Sequence, residues 1–216
     1  MKTKKRMFKS AVMVSIFASA IAITGTIASA AIPAGSQAPD DAAKRRIESA
    51  YLNMPMVFEL NQGQTKGQDK FLARGSGYNL LLTPSEAVLA LEKSLLRMRL
   101  VNANTSPNLK GLEKLDGKIN YIIGKDPKKW RTNIPVFAKV KYHNVYPGID
   151  MIYYGKQRQL EYDFVVAPGA DPKTIKLAYE GQDKLEIDTN GDLVLHIADR
   201  EIRMLKPFIY QMIHGT

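Results

Sequence analysis

Between Val57 and Met212, apolar and polar residues alternate with a period of two in short runs, and that pattern predicts strands. The runs are Val57–Asn61, Lys70–Arg74, Tyr78–Thr83, Ala87–Leu91, Leu96–Val101, Val136–Tyr142, Ile149–Tyr154, Leu160–Val166, Ile175–Tyr179, Leu185–Asp188, Leu193–Ile197, Glu201–Met204 and Phe208–Met212. Turn residues stand between them at Gly75-Ser76-Gly77, Pro84-Ser85, Pro147-Gly148, Pro168-Gly169 and Asn190-Gly191. The expected class is all-β, an antiparallel β-sandwich of many short strands, because each hairpin has one apolar face to bury. No repeat of roughly 20–50 residues recurs, so the stretch is by itself neither solenoid nor propeller. In Leu160–Val166, Leu160, Tyr162 and Phe164 point one way while Glu161 and Asp163 point the other. Pro147-Gly148 suits the two central positions of a type II turn, with glycine taking the positive φ.

Upstream the pattern differs. Lys2, Lys4, Lys5, Arg6 and Lys9 precede an apolar stretch from Ser10 to Ile27, and Ala28-Ser29-Ala30 has the small-x-small form of a cleavage site. Residues 1–30 therefore read as a signal peptide cut near Ala30, and the mature chain is expected outside the cell, secreted or held at the surface. Membrane contact is expected only through the signal segment before it is cut. Residues 31–53 read as a spacer and a short helix capped by Asp40, with Ile47, Ala50 and Tyr51 on one face. Residues 54–216 form the β module.

Charge changes the picture once the leader is set aside. The whole chain carries a formal charge of +10, which suggests nucleic acid, but five of the positive charges belong to residues 1–30. Of the remaining +5, Glu92–Arg131 holds ten basic and four acidic residues, so the charge is local. Residues 102–133 have thin strand content and read as a long basic connection or flap, with Trp130 as an anchor to the sandwich. The chain has no cysteine, so an exported domain of this kind must rest on its core without disulfides.

Several constellations invite chemical readings. Glu161 and Asp163, two apart on one strand, share a face at roughly 6–7 Å, near the spacing of glycosidase carboxylates. The alternative is that both occupy the solvent face, paired with Arg158 or Lys156. Asp188, Asn190, Asp192 and Asp199 resemble half of a calcium loop, but Leu193 stands where the sharp-turn glycine belongs, and Asn190-Gly191 reads as a hairpin turn. His143, His196 and His214 have no metal-ligand spacing, and Ser76 lacks the wider nucleophile elbow. No metal and no cofactor is expected. Lys110, Lys114, Lys118, Lys128, Lys129, Trp130 and Arg131 are the candidate ligand contacts, suited to an acidic surface polysaccharide or wall polymer through long-range attraction. Nucleic acid is not expected as a partner.

The phrases FELNQGQ (58–64), FLARGSGYNLLLTPSEAVL (71–89), LRMRLVNAN (96–104), GKINYIIGKDPKKWRTNIPVFAKVKYHNVYPGIDMIYYG (117–155) and QLEYDFVVAPGADP (159–172) resemble the amino-terminal domain of bacterial secreted proteins that carry SBBP-type β-propeller repeats. The resemblance implies an extracellular β-rich module of uncharacterised role that fronts propeller repeats, and it carries over no catalytic residue. Such proteins run on through further strands where this chain stops at Thr216, which leaves truncation at the C-terminus open. The expected function is a non-catalytic structural or interaction module docking a following β-propeller. The alternative is a carbohydrate-active enzyme or glycan-binding domain using Glu161 and Asp163.

Overall fold

The computed structural model describes residues 11–16, 56–75, 77–156 and 159–212. The expected spacer, short helix and cleavage site lie outside the described residues. The strands are β1 (Ala11–Ile16), β2 (Phe58–Leu60), β3 (Phe71–Arg74), β4 (Asn79–Leu82), β5 (Glu86–Ala90), β6 (Leu95–Leu100), β7 (Asn108–Tyr121), β8 (Arg131–Tyr146), β9 (Ile149–Lys156), β10 (Gln159–Val166), β11 (Leu177–Glu180), β12 (Lys184–Ile187), β13 (Leu193–Ile197), β14 (Arg200–Met204) and β15 (Phe208–Met212). All pair antiparallel, as the alternation predicts.

Twelve strands form one sheet in the order β11-β6-β5-β4-β3-β2-β8-β9-β10-β1-β15, with β7 along the free side of β8. The sheet curls into a half-barrel, and β12-β13-β14 make a separate three-stranded sheet. Strand β8 is where the sheet divides. Its residue Phe137 faces Lys114 on one side and Phe58 on the other, while Lys139 faces Leu112 and Tyr154. Thus β7 covers one edge of β8, and β2 and β9 share the opposite edge.

Side chains on the concave face make the core. Phe58, Leu80, Leu82, Val140, Ile149 and Phe164 are fully buried there, joined by Leu195, Ile197, Ile202 and Met204 from the small sheet. An aromatic ladder crosses adjacent strands, with Tyr142–Tyr153 centroids at 5.5 Å, Tyr153–Tyr162 at 5.7 Å and Tyr162–Phe164 at 6.0 Å. Such tilted and edge-on contacts suit the ring quadrupoles. Tyr142 satisfies its hydroxyl by donating to the Thr83 carbonyl at 2.8 Å. Gly148 has φ +73°, as the type II reading of Pro147-Gly148 requires.

Two segments differ from expectation. The stretch read as a basic connection is instead a long hairpin, β7 with 14 residues and the first part of β8, which has 16. Its period is broken for physical reasons. Gly111 stands where a Cβ would lie 2.5 Å from the Phe137 ring, Glu113 takes φ +52°, and the register shifts between Lys114 and Lys118. The other is β1, which falls in the apolar stretch read as part of an export signal. It pairs with β10 (Val12 with Val166) and with β15 (Val12 with Gln211), so a chain cut after Ala30 would lose the strand that joins them.

Candidate functional site

The face of β7–β10 turned away from the core holds three of the residues singled out by spacing, Lys110, Glu161 and Asp163. Cross-strand partners share a face, so register alone aligns Leu112, Lys139, Tyr154 and Glu161 in one row, and Lys110, Lys141, Ile152 and Asp163 in the next. Glu161 and Asp163 do lie opposite the core face, as alternation predicts. They are not on a solvent face, however: each is only 6% exposed. The Tyr154 hydroxyl donates to Asp163 Oδ1 at 3.1 Å. Burial, followed by the negative charges of Asp163 and Glu161, drives the Tyr154 pKa far above its ordinary value. Two carboxylates gathered round one phenol, closed to solvent, are neither an open acidic face nor a groove with aromatic walls.

Next to them Asp150 organises the β8–β9 corner. Its carboxylate takes Lys141 Nζ at 2.7 Å, His143 Nδ1 at 2.9 Å and the Asn144 backbone N–H at 2.7 Å, the last holding Asn144 at φ +52°. Burial raises its pKa, but the bonds to Lys141 and Asn144 and the nearby His143 outweigh it and hold the carboxyl below the usual range. A carboxylate depressed in the folded state stabilises above its unfolded pKa of about 4 and loses that contribution as pH falls through the folded value. Asp150→Asn should therefore lower the urea midpoint at pH 7, and the gap from the natural chain should close as acidification takes the pH through the carboxyl's depressed folded value. A gap that persists unchanged in acid would contradict this assignment.

A second cluster was invisible to local pattern. Glu59 lies between Phe58 and Leu60 on β2, so its side chain is on the other face from theirs, yet it is 1% exposed. Arg74 Nε donates to its Oε1 at 3.3 Å, and the Tyr121 hydroxyl donates to its Oε2 at 2.5 Å. Arg74 also bonds the Tyr121 hydroxyl and lies 5.5 Å from that ring's centroid. This triad ties the far end of the β7–β8 hairpin to β2 and β3, joining residues 62 positions apart. It borders a cleft of about 270 Å³ lined also by Gln64, Thr65, Asn79 and Leu81. Glu59→Gln keeps the volume but removes the charge, so a loss of about 1.5–3 kcal/mol is expected in urea unfolding. Loss of protection at Tyr121 in amide exchange should accompany it.

The lysines fall into two groups. Lys110, Lys114 and Lys118 stand on β7, an edge strand, where exposed lysines also guard against pairing with another chain. Lys125, Lys128 and Lys129 lie beyond the strands on the hairpin tip, where that role does not apply. None of these six joins an ion pair among the described residues, whereas Lys139 is matched to Glu113 at 2.6 Å. Trp130 does not anchor the segment to the sheet in the way expected; its indole N–H donates to the Gly124 carbonyl at 3.2 Å and fastens the tip to itself. Arg131 donates to the Lys128 and Trp130 carbonyls at 3.4 and 3.1 Å. Asp126 is taken up as the cap of the Pro127–Lys129 turn, accepting from the Lys128 N–H at 3.0 Å.

The remaining candidates are structural. Asp188 accepts from the Asn190 and Asp192 N–H groups at 2.8 and 3.0 Å and pairs with Arg203, and Asp192 accepts from the Lys206 N–H at 2.9 Å. With Gly191 at φ +86° this is a three-residue hairpin turn in which the Asp188 and Asp192 carboxylates are already bonded within the protein. His196 bonds Glu186 at 2.8 Å. Among the described residues no group of three or more metal-ligating side chains converges. Ser76 and His214 lie outside the described residues.

Comparison with known proteins places one match on this frame. A family model described as a domain of unknown function, DUF7948, matches residues 58–216. No curated protein matches the chain, and no solved structure does.

Proposed function

The chain belongs to the DUF7948 family, and on that premise we propose that it is a non-catalytic interaction module of the cell exterior, secreted or surface-held, that fronts further domains such as β-propeller repeats. Its working surface is the β7–β8 hairpin, and its ligand class is an anionic surface polymer such as an acidic polysaccharide. One observation carries the reading: Lys110, Lys114, Lys118, Lys125, Lys128 and Lys129 of the hairpin have no carboxylate partner among the described residues, while the acids Asp150, Asp188 and Glu59 are consumed by internal bonds. A surplus of one sign on an exposed element attracts the opposite sign over long range. A sugar-cleaving role for Glu161 and Asp163 is the weaker reading, because both are closed to solvent and bound up with Tyr154. Binding of the full chain to immobilised polygalacturonate, with neutral dextran as control, tests the proposal. Affinity should fall steeply between low and physiological salt, and by about 100-fold in the Lys125→Glu, Lys128→Glu, Lys129→Glu variant. Binding that is indifferent to salt and to these substitutions would remove the hairpin as the contact.

A further inference from the structure

The hairpin tip carries something that polymer binding does not use. Ile122 and Ile123 follow directly on β7, and they are 63% and 70% exposed. Exposed apolar residues are common singly, but adjacent exposed isoleucines in the tip of a hairpin are not explained by the fold. Near them along the chain are Lys118, Lys125, Lys128 and Lys129, all exposed and outside the ion pairs of the described residues. The acid nearest the apex, Asp126, is engaged as a backbone cap. Trp130, half-buried, closes the loop through Gly124, so the apex is held in one shape before it meets anything.

An exposed apolar pair, neighbouring ammonium groups and a half-buried indole in one loop match the chemistry of a lipid surface. The isoleucines suit the acyl region, the ammonium groups suit anionic headgroups, and a tryptophan suits the interface between them. We propose that the tip of the β7–β8 hairpin docks onto bilayers rich in anionic lipid, inserting Ile122 and Ile123 while the four lysines contact headgroups. This rests on the reading of the hairpin as the working surface and extends it, since a soluble polymer needs the lysines alone. It also departs from the expectation that membrane contact ends with the leader segment.

Trp130 is the only tryptophan in the chain, so its emission reports on the tip alone. The full chain is titrated with vesicles of phosphatidylcholine and with vesicles of equal phosphatidylcholine and phosphatidylglycerol. A blue shift is expected with the anionic vesicles and none with the neutral ones. In Ile122→Ser, Ile123→Ser the vesicle affinity should drop by about 100-fold, while binding to polygalacturonate stays within about twofold of the natural chain. Both positions are exposed, and an unchanged urea midpoint for this variant confirms that the fold is not the cause of the loss. Lys128→Glu, Lys129→Glu should weaken binding to vesicles and to polymer together. If no vesicle shifts Trp130 while polygalacturonate binds, the lipid proposal fails and the polymer reading stands. An equal shift with natural and serine-substituted tips would overturn insertion. Loss of both ligands' binding to the natural chain would overturn the hairpin as a working surface altogether.

Discussion

Tyr162→Ala is expected to cost the fold about 3–5 kcal/mol, the largest loss of any single side-chain truncation. The ring is 1% exposed and stands between Tyr153 and Phe164 in the aromatic ladder, so its removal leaves a void that flanking strands cannot close. Its hydroxyl contributes little, because the contact with the Tyr179 hydroxyl is long at 3.5 Å. Tyr162→Phe should therefore lie within about 1 kcal/mol of the natural chain, and the contrast in urea midpoints separates ring from hydroxyl. The same ladder sets the alkaline limit. Burial raises the pKa of Tyr142, Tyr153 and Tyr162 well above that of a free phenol. Groups raised in the folded state contribute stability that is intact below the unfolded pKa of about 10 and is lost as pH climbs towards the folded value. Unfolding followed by circular dichroism should stay flat to about pH 10 and then steepen, because several phenols must ionise together.

Gly181→Ala should be comparably damaging for a different reason. Gly181 follows β11 with φ +98°, and a Cβ there would sit 2.0 Å from the Leu95 carbonyl oxygen at the start of β6. The obstacle is backbone, so the strand pair β6–β11 must separate to admit a methyl group. Gly169 provides the control. It has φ +85°, but nothing lies within 4 Å of a Cβ built on it. Gly169→Ala should lose about 1–2 kcal/mol, the cost of the left-handed backbone alone. Gly181→Ala should lose about 4 kcal/mol or fail to fold, and the difference between the two measures the clash. Equal midpoints for the two variants would refute the close approach.

What the sequence reveals follows from what local pattern can encode. Strands with a regular period and clear turns were readable nearly to the residue: Leu193–Ile197 and Phe208–Met212 are found as expected, and Gly148 takes its turn conformation. Strand β7 was not readable because an edge strand buries little, so its lysines, bulge and Gly111 erase the alternation that marks a strand. The orientation of Glu161 and Asp163 was legible and their burial was not. Alternation assigns a face but does not say what covers it. The Glu59, Arg74 and Tyr121 triad had no local signal at all, since its members meet only after the half-barrel curls. The tip was partly legible: Lys128, Lys129, Trp130 and Arg131 stood out as a group, while Lys125, Ile122 and Ile123 gain meaning only once the fold leaves the tip exposed.

Contact through the β7–β8 hairpin is tested by amide hydrogen exchange of the full chain at low salt, with and without polygalacturonate. New protection is expected to concentrate in residues 118–131 and to be erased by physiological salt, with β9 and β10 unchanged. Protection centred instead on the face of β9 and β10 around Tyr154, Glu161 and Asp163 would contradict it and return the acidic pair to the front.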